Sequence, residues 1–124
     1  MNKSKTFSKA WKLARKGAKK FGGTAKSYFS ASLHIIYEAN KLMDTIDMNR
    51  FEMLNSQPKL SRDEALELAA YQATESKAYF MRSMNTEFER QFEESTALIA
   101  NLTSASSTAM IYNDYLTGIV ILKR

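Results

Sequence analysis

SRDEALELAAYQATESKAYF, residues 61–80, opens with a helix start and then keeps helical spacing. In Ser61-Arg62-Asp63-Glu64 the Ser61 hydroxyl can accept from the Glu64 backbone N–H. The Glu64 carboxylate can reach back to the Ser61 N–H, which makes a reciprocal cap. From there Leu66, Ala69, Ala73, Phe80, Met84, Phe88, Phe92, Ile99 and Leu102 hold a helical period for about forty residues. Glu67, Glu75, Arg82, Glu89, Arg90 and Glu93 fall mostly on other faces. The spacing predicts one long third helix over 61–116, bent near Thr103 to Ser107, where Ser and Thr compete for backbone hydrogen bonds.

Upstream, Gln57 precedes Pro58 and is biased away from helix, so Asn55 to Leu60 reads as a loop. A second helix within 24–57, from Ala25 to about Leu54, carries Phe29, Leu33, Ile36, Asn40 and Met43 on one stripe, with Ile35, Leu42 and Ile46 beside it. Thr24 can cap it. Before that, Phe7, Trp11, Ala14, Ala18 and Phe21 recur at helical spacing over residues 1–23, and Lys5, Lys9, Lys12, Lys16 and Lys19 keep the same beat on the opposite face. Gly22 and Gly23 end this basic helix, with Lys19 and Lys20 opposing the negative end of its dipole. Downstream, Thr108 to Leu116 reads as resumed helix. The tail over 117–124 contains Ile119 to Leu122, a short strand without a visible partner or a packed tail. The expected architecture is a single all-α domain, an elongated antiparallel bundle of three main helices. A third helix of about 60 Å outruns its neighbours, which predicts a homodimer or a partner groove.

The chain has 124 residues, one Pro, four Gly and no Cys. Disulfides and thiolate metal sites are therefore excluded, and a Gly-rich nucleotide-binding fold is disfavoured. Its net charge of +5 is uneven. Residues 1–26 carry nine basic side chains and no acid; the rest carries nine basic and thirteen acidic groups, or −4. Such asymmetry points the basic end at a polyanion or membrane surface, or to self-complementary packing of the two halves. No apolar run is long enough to span a bilayer, and the early Lys and Arg residues interrupt any secretory signal. A cytoplasmic location in the host cell is expected.

Catalytic raw material is sparse. His34 and Glu38 lie one turn apart, but two ligands are not a metal site. No Gly-flanked nucleophile elbow exposes a serine. Asp44, Asp47, Glu38 and the group Glu87, Glu89, Glu93, Glu94 read as solvated helix faces. No enzyme, cofactor or metal is expected. The candidate site is the basic face, Lys5, Lys9, Lys12, Arg15, Lys16, Lys19 and Lys20, for which three readings stand. It is a solvated face, a phosphate-binding stripe for DNA or RNA, or a peripheral membrane helix with Phe and Trp in lipid, the last ranking below the others.

AWKLARKGAKKFGGTAKSYFSASL, residues 10–33, resembles an N-terminal motif recurring in small proteins of phages, prophages and integrative elements. The matching positions are Trp11, Ala14, Gly17, Ala18, Phe21, Gly22, Gly23, Ala25, Tyr28, Phe29 and Leu33; Tyr37 stands where the pattern usually has a second Trp. The resemblance implies a mobile-element origin, where such small proteins inhibit a host defence complex without catalysis, similar to anti-CRISPR proteins, or regulate the element's own genes; the alternative is a nucleic-acid-binding accessory or regulatory protein that uses the Lys stripe. The partner of an inhibitor would be a host effector protein or ribonucleoprotein. Read from the residues alone, the same stretch is a helical hairpin: Gly22 and Gly23 reverse the chain, while Trp11, Phe21, Tyr28, Phe29 and Leu33 pack at the turn.

Overall fold

The computed structural model describes residues 3–106, 108–114 and 117–122. In chain order they form α1 (Lys3–Phe21), α2 (Ala25–Asp44), α3 (Met48–Ser56), β1 (Lys59–Leu60), α4 (Arg62–Ser83), α5 (Thr86–Ser104), β2 (Met110–Asp114) and β3 (Gly118–Leu122). The molecule is a helical bundle, as the periodicity predicts, with a small sheet packed against it. The reciprocal cap is present at α4: the Glu64 N–H donates to Ser61 Oγ at 3.1 Å and the Ser61 N–H to Glu64 Oε1 at 2.9 Å. Thr24 caps α2 through the Ser27 N–H.

The helix divisions differ from those read along the chain. The long second helix breaks after Asp44, where the Thr45 hydroxyl donates to the Leu42 carbonyl and Asp47 caps α3 by accepting from the Arg50 N–H. The break turns Ile46, Phe51 and Leu54 into one core with Leu60, Ala65, Leu68, Ala69, Leu102 and Ile111. Unbroken helix would carry those side chains past α4. The expected third helix is a hairpin instead. Met84 adopts left-handed backbone (φ 56°), Asn85 accepts from the Glu87 N–H, and α5 returns along α4. Each long helix thus covers the other, so the argument that an overlong helix demands a dimer lapses.

The bend near Thr103 is the end of α5 at Ser104. The segment read as resumed helix is strand β2, at least over Met110 to Asp114, and it supplies β3 with a partner from its own chain. Leu116 and Ser107 lie outside the described residues. The loop before α4 contributes β1, giving an antiparallel sheet in the order β1-β2-β3 with Leu60 beside Ile111 and Ile111 beside Ile121. β-Branched side chains at alternate positions let Ile111, Ile119 and Ile121 reach the helical core from one face.

At the other core cluster, Ala10 and Leu13 of α1 meet Ile36 of α2, with Phe29, Leu33, Ile35 and Met84 around them. α1 and α2 run close at Gly17, where a Cβ would sit in van der Waals contact with the Tyr28 ring at 3.4 Å. The turn between them needs positive φ at both Gly22 (85°) and Gly23 (90°), and the Tyr28 hydroxyl donates to the Gly22 carbonyl at 2.7 Å.

α3 is tied to α4 by Arg50, whose Nε and Nη2 donate to Glu67 at 2.8 and 3.3 Å. The Arg50 hydrogen bonds hold the Glu67 carboxyl below its ordinary value. Glu75, half-buried on α4, is shifted the opposite way by burial alone.

Two outcomes follow from this packing. A raised carboxyl pKa means that the native chain holds a proton the unfolded chain has released. Glu75 therefore subtracts stability as pH rises from its ordinary 4.5 through the raised value. Glu75→Gln is expected to raise the urea midpoint at about pH 7 and to leave it unchanged near about pH 4. Gly23→Ala, which forces a side chain into left-handed backbone, should cost about 1–2 kcal/mol in the same denaturation experiment.

Candidate functional site: a basic groove between α1 and α4

α1 divides its circumference three ways. Thr6, Ala10, Leu13, Ala14 and Gly17 are buried. Lys5, Lys9, Lys12, Arg15, Lys16, Lys19 and Lys20 are all exposed and, at about 100° per residue, occupy one arc of about 140°. Phe7 and Trp11 lie on the remaining edge, over α2. The buried stripe therefore shares Ala14 with the Phe7, Trp11, Ala14, Ala18, Phe21 line read from the sequence, while Phe7, Trp11 and Phe21 stay exposed beside it. Ala10, Ala14 and Gly17, small residues at i, i+4 and i+7, allow close helix contact that bulky rings would prevent.

The ring residues of the hairpin are placed unequally. Trp11 stacks on Phe29 at 4.2 Å between centroids, and Phe7 meets the same ring at 6.3 Å. Leu33 packs on the α1–α2 cluster, and Tyr28 closes the turn. Phe21 is the exception: it is expected at the hairpin core but is 66% exposed, with Lys20 Nζ 5.5 Å from its ring centroid. It is the last residue of α1, so the turn carries it past the reach of α2.

The basic face is not a plain convex stripe. The C-terminal end of α4 comes up beside it, and Lys9, Lys12, Leu13, Arg15, Lys16 and Lys19 line a groove of about 460 Å³ together with Arg82 and Ser83. The Lys16 ammonium donates to the Ser83 carbonyl at 2.9 Å, satisfying an end group of α4 and anchoring that helix terminus to α1. Lys16 and Lys20 continue into an adjoining hollow with Met84 and Asn85. Lys5 lies outside the groove lining, although its charge still acts on Lys9.

Arg82 is the groove residue that no spacing or motif along the chain joins to the others. Its Nη2 donates to Asn40 Oδ1 at 2.5 Å, while its buried Nε has no hydrogen-bond partner. A signal was available only in hindsight: Arg82 precedes the α4 terminus by one residue, and α1 packs against that terminus. The lining contains no carboxylate. The Lys9 ammonium is accordingly pushed below its ordinary value, first by partial burial and then by the charges of Arg82, Lys5 and Lys12.

The other candidates do not converge. His34 is exposed and Glu38 pairs with Lys41 at 3.2 Å. Among the described residues no three His, Cys, Asp or Glu side chains are grouped to hold a metal. Glu87 and Glu94 both pair with Arg90 along α5. No helix is long and apolar enough to cross a membrane among the described residues.

A family model described as Streptococcus thermophilus bacteriophage Gp111 protein matches residues 6–94, from α1 into α5. That span includes every residue lining the basic groove. Comparison with curated proteins and with solved structures returns no match. On a match covering well over half of its residues, the chain belongs to the Streptococcus thermophilus bacteriophage Gp111 family of phage proteins.

Proposed function

We propose that this phage-encoded protein is a non-catalytic binding protein whose basic groove takes the phosphodiester backbone of a nucleic acid. The observation that carries the reading is Arg82, which a distant helix brings among four lysines and Arg15 with no acid in the lining. Cations crowded in this way repel one another, a repulsion that adds to partial burial in lowering Lys9, and a polyanion relieves it. Lys5 to Lys19 extend about 21 Å along the helix, enough to meet several successive phosphates. Ammonium groups neutralise phosphate without reading bases, while the planar fork of Arg82 suits bidentate contact with one phosphate. Binding of this kind is independent of sequence and steep in salt.

In a phage such a protein fits an inhibitor of a host defence complex, of the anti-CRISPR kind, with the basic groove on the nucleic-acid path of an effector or ribonucleoprotein. The exposed aromatic edge favours this setting. Phe21, and Phe7 and Trp11 to lesser extents, offer a protein partner an apolar hold on a part of α1 separate from the groove.

Purified protein titrated with short duplex DNA and with single-stranded RNA is expected to lose on the order of 10²–10³ in affinity between about 50 and about 200 mM salt. Lys12→Glu with Lys16→Glu should weaken binding at least about tenfold and flatten the salt slope by about two. Arg82→Gln should weaken it as well, which a convex α1 face acting alone would not predict. Absence of binding to both nucleic acids at about 50 mM salt overturns the backbone reading. Recovery of a nuclease or effector subunit in native pull-downs from host cells, lost in Phe21→Glu, supports the inhibitor setting; its absence counts against it.

A further inference from the structure

β3 is an edge strand of an unusual kind. Among the described residues it pairs with β2 alone, so its other backbone edge carries N–H and C=O groups with no strand beside them. Gly118-Ile119-Val120-Ile121-Leu122 contains no charge and no proline, the two devices by which edge strands usually guard against pairing. Ile119 and Ile121 face the helical core, which sets Gly118, Val120 and Leu122 on the outer face beside Asp114, Tyr112 and Met110. Leu122 is 50% exposed there.

From these features we infer that β3 is the seat of a homodimer in which two copies pair antiparallel, strand to strand, about a two-fold axis at Val120. The strand is complementary to itself in that register. Val120 faces Val120 of the second copy, Ile119 faces Ile121, and the absent side chain of Gly118 makes room for Leu122. No like charges oppose each other within the strand, and a two-fold axis closes the assembly at two copies. The incoming strand enters an existing space: a groove of about 580 Å³ runs between α5 and β3, lined by Leu98, Asn101 and Ser104 on the helix and by Ile119, Val120 and Ile121 on the strand.

Charge selects the same occupant. In sequence β3 runs on into Lys123 and Arg124. The two-fold register sets Leu122, the last residue of β3, opposite Gly118 of the other copy, where Glu94 lines a neighbouring hollow with Thr117 and Gly118. α5 supplies Glu87, Glu89, Glu93 and Glu94 against the single Arg90, so its flank stays net negative even with Arg90 paired. An apolar strand followed in sequence by two cations fits this edge, and the chain itself provides one. The dimer does not rest on the phosphate reading, since the groove of α1 and α4 takes no part in it.

Sedimentation or light scattering on the full chain tests the proposal, with circular dichroism confirming that each variant is folded. The wild-type protein should have about twice the 14.1 kDa chain mass. Val120→Lys and Val120→Glu, outer-face changes that put like charges opposite each other, should each weaken the dimer at least about tenfold. An equimolar mixture of the two variants should restore it, because the opposed charges then attract. A monomeric wild-type protein, a dimer indifferent to both substitutions, or a mixture that stays monomeric would each overturn the inference.

Discussion

α4 can be approached closely from more than one side because most of its buried positions are small: Ala65, Ala69, Ala73, Ser76 and Ala78, with Leu68 the one large side chain among them. Alanine also favours helix, so the same residues that thin the helix stabilise it. α5 returns along one flank, α2 lies along another, and α1 touches the far end. Were these positions leucines, the neighbouring axes would move outward and the Ala10–Leu13–Ile36 and Leu54–Leu68–Leu102 clusters could not both close. The cap at Ser61 and Glu64 fixes where this helix begins, and Met84 fixes where it stops.

That stopping point makes the groove. Because α4 ends at Ser83, its last carbonyls need partners, and Lys16 of α1 supplies one. Arg82, one residue earlier, is thereby held beside a helix that already carries a continuous basic face. Asn40 of α2 holds the guanidinium in place. Three helices thus build a site whose charges come mostly from one of them. The opposite charge excess sits on α5, where Arg90 offsets only part of four carboxylates. The molecule is therefore polar in its electrostatics as well as in its sequence, with cations at the α1 groove and anions along α5.

The chain breaks that reading along the sequence missed share a cause. Residues 44–47 and 83–86 contain no Gly or Pro, so neither break carries the usual punctuation. Asp47 and Asn85 are good caps, yet a cap residue inside a run of helical spacing is outweighed by the apolar period on both sides of it. Met84 takes the left-handed position commonly given to Gly, held there by the Phe80 carbonyl and the apolar cluster around it. Strand β2 was obscured for a related reason. Met110-Ile111-Tyr112 follows a helix closely and suits either state, and only its partners β1 and β3 make it a strand.

What the sequence determined by itself is local: the Ser61 cap, the Gly22-Gly23 reversal, the Thr24 cap, the helical class and the segregation of nine cations into the first 26 residues. Each depends on side chains within a few positions of one another, and helix periodicity converts their spacing directly into a face. The hairpin of α4 and α5, the pairing of β2 with β3, the exposure of Phe21 and the arrival of Arg82 among the lysines were decided by tertiary structure. Each joins segments whose separation along the chain carries no record of their distance in space, and burial of small side chains around α4 is the physical term that selects among the arrangements local rules allow.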